Sequence, residues 1–332
     1  MAIILGTRGS QLALAQAELA KQAVERLPER PEAIIRITAT TGDRRLDINL
    51  SQPGPKIDKG LFTKELEEAL LSGEIDVAVH SLKDLPTELQ PELELAATLP
   101  RHDPVDVLIS KTANSLREIP LSGIVATSSP RRAHQIAVHR PDLHATNVRG
   151  NVPSRIAMLL TEDSWNSLVL AKAGLERLGY RPKGGRMEFE GQGLFVSDLV
   201  ELLPAAGQGA IGLEVRVNDL EIKKIVTSVS HAQTWFCTAV EREFLRLLGG
   251  GCQLPLGIRA RIQGGDLCCE ATRSRFRQFH STLELRWLVI LDPEIGVIQC
   301  SDPFYLIVGE LWAFRTRREF GQLRISSISQ DP

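Results

Sequence analysis

Three short loops in this chain combine hydroxyl or glycine residues with arginine: GTRGS at 6 to 10, TSSPRR at 127 to 132 and RGNVPSR at 149 to 155. Each stands between a strand-like run and a helical pattern. A cation in the first turn of a helix costs a few tenths to about 1 kcal/mol against the macrodipole, so Arg131 and Arg132 occupy the locally unfavourable end. A bound anion reverses that sign. Free backbone N–H groups, the hydroxyls of Ser10, Thr127, Ser128 and Ser129, and guanidinium forks together make a carboxylate or phosphate site. One such loop is also explained by a solvated cap with surface arginines; three in one chain favour anion binding.

The run IDVAVHSLKDLP, from Ile75 to Pro86, is apolar until His80, Ser81, Lys83 and Asp84 appear at its carboxyl end. Open α/β sheets place their ligand crevice there. A carboxylate beside an ammonium can handle protons or stabilise a cation forming on a substrate, although the same pair also fits an exposed turn. Cys252 follows three glycines and precedes Gln253, which displays a thiol on a tight turn where nearby cations could favour thiolate. GQGAIG at 207 to 212 matches a dinucleotide-binding pattern, but Leu213 to Val217 alternate like a strand where that fingerprint needs a helix. His134, His139 and His144 read as surface or capping residues, and no metal site is expected.

The elements that must position these residues alternate. Strands are expected at 2–5, 33–38, 75–80, 105–110, 124–126 and 167–170, and helices at 11–26, 63–71, 130–139, 154–161 and 173–178. That order predicts an α/β fold with largely parallel sheets. The segment between Asp43 and Gly60, with two prolines, reads as a long surface loop, and the stretch from Glu221 to Leu248 as a helix ended by the triple glycine.

A length of 332 residues calls for two or three domains, and 43% hydrophobic with 24% charged residues is ordinary globular composition. The formal net charge of −2 speaks against a nucleic-acid partner, and the lack of a long apolar run against a membrane span. Five cysteines without C-x-x-C spacing make disulfides and structural metal unexpected, so a cytoplasmic protein is anticipated.

Taken in order, GTRGSQLALAQ near the start, DKGLFTKELEEALL at 58 to 71, VAVHSLKDLP at 77 to 86, TSSPRR, RGNVPSR, LAKAGLERLG at 170 to 179, GQGAIGLE at 207 to 214 and GGCQLPLG at 250 to 257 resemble the signatures of the porphobilinogen deaminase (hydroxymethylbilane synthase) family. The resemblance runs from residue 3 to about 266. It implies an α/β protein of three domains, two of them periplasmic-binding-protein-like lobes and the third a small α+β domain. The divisions expected are 1–100 with 205–220, then 101–204, then 221–332.

The resemblance further implies a monomeric transferase that joins four porphobilinogen molecules head to tail with loss of ammonia. Its cofactor is a dipyrromethane held by a thioether to Cys252. Asp84 is the implied catalytic residue, hydrogen-bonding pyrrole N–H groups and stabilising an azafulvene-like cation. Lys83, Ser81, Thr127, Ser128, Ser129, Arg131, Arg132, Gln208 and Gly209 are implied to hold the cofactor, and Arg8, Ser10, Arg149 and Arg155 the substrate. The competing reading is a two-lobed anion-binding module without catalysis, which needs neither Asp84 nor Cys252.

Two departures stand out. The insertion PGPKID before KGLF puts any role for the loop lysines in doubt. After about Asp266 the family pattern stops, half of the chain's aromatic residues fall after residue 275, and no lysine follows Lys224. That tail reads like a shifted reading frame. Translating the coding DNA in its other frames should then reveal a familiar third-domain ending; finding none in any frame refutes the idea.

Overall fold

The structure, a computed structural model, describes residues 2–29, 31–38, 63–248, 254–264, 266–276, 282–291, 297–300 and 324–325. Cys252 and the expected surface loop from Asp43 to Gly60 lie outside the described residues.

The chain begins with β1 (Ile3–Thr7), α1 (Gln11–Glu25), β2 (Ala33–Ile37), α2 (Lys64–Leu71), β3 (Val77–Ser81) and β4 (Leu93–Thr98). It then crosses to a second set: β5 (Asp106–Ser110), β6 (Ile124–Ala126), α3 (Pro130–His139), β7 (His144–Thr146), α4 (Val152–Thr161), β8 (Trp165–Ala171), α5 (Lys172–Arg177), β9 (Arg186–Phe189) and β10 (Gln192–Leu199). It returns as β11 (Ile211–Arg216), followed by α6 (Leu220–Ser228) and α7 (Ala232–Leu247). The last strands are β12 (Leu256–Gln263), β13 (Asp266–Phe276), β14 (Thr282–Leu291), β15 (Val297–Cys300) and β16 (Arg324–Ile325).

Three sheets result, ordered β2-β1-β3-β11-β4, β7-β6-β8-β5-β10-β9 and β12-β13-β14-β15-β16. The α/β class holds, but the first two sheets are mixed rather than largely parallel. β1 runs parallel to β2 and β3, and β6 to β7 and β8, whereas β11 is antiparallel to β3 and β4, and β5 to β8 and β10. The cause is the double crossing: β11 comes back from the second sheet and enters the first against the grain. The strands at 93–98, 144–146, 186–189 and 192–199 are not among those expected, although Arg186–Phe189 alternates exposed and buried residues as a half-covered strand does.

Leu5, Val77, Val79, Leu213 and Val215 fill the first core, and Val107, Ile109, Leu168, Ile156 and Leu159 the second. The helix expected from Glu221 to Leu248 is two helices. His231 interrupts it and caps α7, its Nδ1 accepting from Thr234 N. α6 packs Ile222 and Val226 into the first core, so this helix goes with the first sheet and not with the unit expected to begin at 221. α7 packs Phe244 against Ile258 and Leu267 of the third sheet.

The two crossing segments, 99–105 and 200–210, are bonded to each other. Leu99 N donates to Ile211 O, and His102 N to Gly209 O at 3.1 Å. Gly209 has φ +84°, and a Cβ there would lie 2.5 Å from the backbone oxygen of His102. No side chain fits, and neither group can swing aside. Gly209→Ala should therefore lower stability by roughly 2–4 kcal/mol, read as a fall in the denaturant midpoint at unchanged m-value. A variant within about 0.5 kcal/mol of wild type would show that the crossing yields freely.

Candidate active site

Each of the three arginine loops ends in a helix cap. Ser10 accepts from Ala13 N to open α1, Ser129 from Arg132 N to open α3 with Pro130 behind it, and Asn151 from Ser154 N to open α4. The serines expected to face an anion are thus partly engaged by backbone. Ser128 Oγ donates to Val148 O at 2.6 Å and accepts from Val148 N at 2.9 Å, tying the second loop to the third. Thr127, buried, accepts from Ser129 N.

β3 runs into a single 3₁₀ turn, Leu82–Asp84, that carries Lys83 and Asp84. Beside it a cleft of about 90 Å³ is lined by Arg8, Ser10, Gln16, His80, Ser81 and Asp84, among others. Ser81 and Gln16 bond reciprocally across its wall, Gln16 Nε2 donating to Ser81 Oγ at 2.9 Å and Ser81 Oγ donating to Gln16 Oε1 at 3.0 Å. His80 Nε2 lies 2.8 Å from Glu214 Oε2 of β11, both side chains buried.

Arg131 and Arg132 do not lie on the surface. Both are buried around Asp106, the first residue of β5 and itself fully enclosed. Arg132 donates from Nε and Nη2 to Asp106 Oδ1 at 3.1 and 2.8 Å. Arg131 Nη2 stands 2.7 Å from Oδ2, an ionic contact whose angle falls short of a hydrogen bond. Gln208 Nε2 completes the ring, donating to Oδ1 at 2.8 Å and to Pro104 O at 2.6 Å. Burial alone would raise the Asp106 pKa; the two guanidiniums overrule it and hold the carboxyl well below its usual range.

Lys83 faces the same group, its Nζ 3.5 Å from Gln208 Oε1. Burial, then the nearby Arg132 and Arg131, push its pKa down to about 8 against the pull of Asp84 and Asp106. Arg155, which donates Nε to Gly150 O, is pushed down to about 10 by burial and by Arg132 and Arg149. Gly209 does not present itself as bare cleft lining: its carbonyl accepts from His102 N and from Arg177 Nη2.

Lys83 lies in electrostatic reach of Arg131 and Arg132, and Arg155 of Arg132 and Arg149, with Asp84 and Asp106 beside them. Among these described residues the cations outnumber the carboxylates. Such a cluster suits a polyanion, and one carboxylate at its edge suits a developing cation. Sequence reading missed Asp106, Gln16, Glu214 and the buried Glu241. Only Asp106 left a signal: an acidic residue opening the apolar run DVLIS must be paired if that run is a core strand.

A family model described as porphobilinogen deaminase, dipyromethane cofactor binding domain, matches residues 3–224. A second, porphobilinogen deaminase, C-terminal domain, matches residues 235–274. The chain is 44% identical over 266 residues to the porphobilinogen deaminase of Syntrophomonas wolfei, covering 79% of this chain and 82% of that one. It is 45% identical over 262 residues to that of Shouchella clausii, covering 78% and 80%. Among solved structures, the methionine binding protein MetQ aligns with a TM-score of 0.41 at 14% identity, over 75% of this chain and 96% of that chain.

Asp106→Asn should leave two buried guanidiniums short of a counter-charge and cost roughly 3–5 kcal/mol of stability. Because the folded pKa is depressed, this stabilisation is complete above the unfolded carboxylate's pKa and fades as the pH falls through the folded value. Denaturation curves should show a constant gap between wild type and variant above about pH 5 that closes below about pH 4. A loss under about 1 kcal/mol at pH 7 would contradict it.

Proposed function

The chain belongs to the porphobilinogen deaminase family, and from that membership we propose that Asp84 is its catalytic carboxylate and Cys252 the attachment point of its dipyrromethane. The enzyme is a hydroxymethylbilane synthase: it joins four porphobilinogen molecules head to tail, releases ammonia and gives the linear tetrapyrrole. The alternative, a two-lobed anion binder without catalysis, is not favoured.

The observation that carries the residue assignment is the placing of Asp84 between the cleft and the cationic surplus. Every porphobilinogen brings an acetate and a propionate, so each cycle adds negative charge to the bound chain. Lys83, Arg131, Arg132, Arg149 and Arg155 are proposed to hold those carboxylates, with Arg8, Ser10, Ser81 and Gln208 lining the path. Ser128, Ser129 and Thr127 support the loop that bears Arg131 and Arg132, and Gly209 keeps the crossing closed behind it. A bound dipyrromethane supplies the free pyrrole carbon on which elongation starts; the cation cluster offers its carboxylates the counter-charge they need.

Asp84 accepts hydrogen bonds from pyrrole N–H groups and offsets the positive charge that develops on the ring as ammonia leaves. Burial lowers the Lys83 pKa to about 8, and a carboxylate bound beside it would favour its charged form. We further propose that the protein acts as a monomer in the cytoplasm, without nucleic acid, in keeping with its charge balance and with the free Cys237, Cys268 and Cys269 among the described residues.

Intact mass of protein made with porphobilinogen available should exceed the sequence mass by two pyrrole units, and Cys252→Ser should abolish both the excess and turnover. Asp84→Asn should keep the added mass and lose orders of magnitude in turnover. An unmodified but active wild type removes Cys252 from its role; an Asp84→Asn variant with more than about half of wild-type turnover removes Asp84 from its own.

A further inference from the structure

The turn that carries Asp84 is three residues long, and such a turn cannot fix a carboxylate by itself. On its incoming side β3 holds it, Leu82 N donates to Ala210 O at 3.1 Å, and the Leu82 side chain sits on a floor of Gly207 and Gly212. A Cβ on either glycine would stand 3.0 or 2.9 Å from that leucine, which gives the GQGAIG motif its reason. On the outgoing side Leu85 N returns to Leu82 O, Pro86 has no N–H to donate, and β4 begins only at Leu93.

There the backbone is gripped by α7. Arg242 donates from Nη1 to Leu85 O at 2.9 Å and from Nη2 to Pro86 O at 2.6 Å. The neighbouring Glu241 is fully buried and binds the crossing: Arg101 through both Nη atoms at 2.8 and 3.0 Å, Gly207 N at 2.8 Å, and Ala260 N of β12 at 2.8 Å. Consecutive residues of one helix thus hold the floor under the turn and the strap that leaves it. A planar guanidinium with two parallel donors suits such a pair of carbonyls, and an ammonium does not.

We propose that Arg242 is a positioning residue for the condensation: it fixes the backbone after Asp84, and so the carboxylate's place relative to the arginines across the cleft. This rests on the reading that Asp84 is catalytic. Displacing a catalytic group by about 1 Å can cost a hundredfold in rate, so a residue that grips the backbone one and two positions beyond that group and never meets the substrate can still govern turnover.

The test compares Arg242→Met and Arg242→Lys in the wild-type and Asp84→Asn backgrounds, with turnover expressed per folded, cofactor-bearing molecule from intact mass and circular dichroism. Arg242→Met should lower kcat by about 10- to 100-fold with KM within about twofold. Arg242→Lys, with one contact in place of two, should recover part of that loss, and it carries the test if the methionine variant does not fold. In the Asp84→Asn background Arg242→Met should cost less than about twofold, because the group it positions is already gone. A kcat unchanged per loaded molecule, or a loss that multiplies undiminished onto Asp84→Asn, overturns the inference and reduces Arg242 to a staple between units. An Asp84→Asn variant with most of its turnover overturns the role of Asp84 and this inference with it; an impaired Asp84→Asn beside an unimpaired Arg242→Met overturns this inference alone.

Discussion

Asp106 is the charge around which the second lobe's side of the cleft is arranged. Its carboxylate has no exposure, and without partners the cost of burying it would exceed what a core strand gains from the residues beside it. Arg131 and Arg132, one turn inside α3, supply the partners and are drawn inward by the same contact. Gln208 arrives from the returning chain and closes the fourth side. One carboxylate therefore joins β5, α3 and the second crossing, and it does so while neutralising only one of the two cations. The remaining positive charge is what a bound anion meets.

Glu241 repeats the device one layer away. It is equally buried and takes Arg101, Gly207 N and Ala260 N, so that first crossing, second crossing and third sheet converge on one carboxylate. A buried acid with four donors around it is expensive to leave incomplete, which makes both crossings hard to displace separately. Asp106 and Glu241 stand on opposite flanks of Gln208, whose side chain bonds the first and whose carbonyl accepts from the arginine held by the second. These two acids add to the small apolar cluster of Leu82, Leu85 and Ala210 in tying the region behind the cleft together.

Much of this could be read in the sequence where the signal was local. Strand and helix periods located β1, β5, β6, β8, α1, α3 and the end of β3; the caps at Ser10 and Ser129 depend only on residues within three positions, yet these serines read first as anion-binding hydroxyls. What the sequence hid was long-range. The antiparallel entry of β11 follows from a chain that leaves and returns, and no period records it. The break at His231 hid inside a stretch whose propensity is helical on both sides. Arg131 and Arg132 read as arginines for a bound anion because the carboxylate that pairs them in the fold lies 25 and 26 positions upstream, and Gln16 read as an ordinary helix residue because Ser81 is 65 positions away.

The arrangement also explains how a cluster of cations can wait for its ligand without tearing the fold apart. Like charges in reach of one another repel, and each unit of pKa depression records about 1.4 kcal/mol of that strain and of lost hydration. Lys83, Arg155 and Arg131 all carry the depression, Arg131 despite the carboxylate it faces, while the Asp106 carboxyl is held ionised by the arginines around it. A carboxylate-bearing ligand would relieve part of that strain. A pocket with enough fixed acids to silence every cation would be more stable and would bind nothing negative; a pocket with none would not bury Arg131 and Arg132 at all. Two acids, one anchoring the arginines and the other left at the cleft, satisfy both demands, and the second is Asp84 because its turn is held by backbone and by Leu82 rather than by its own charge.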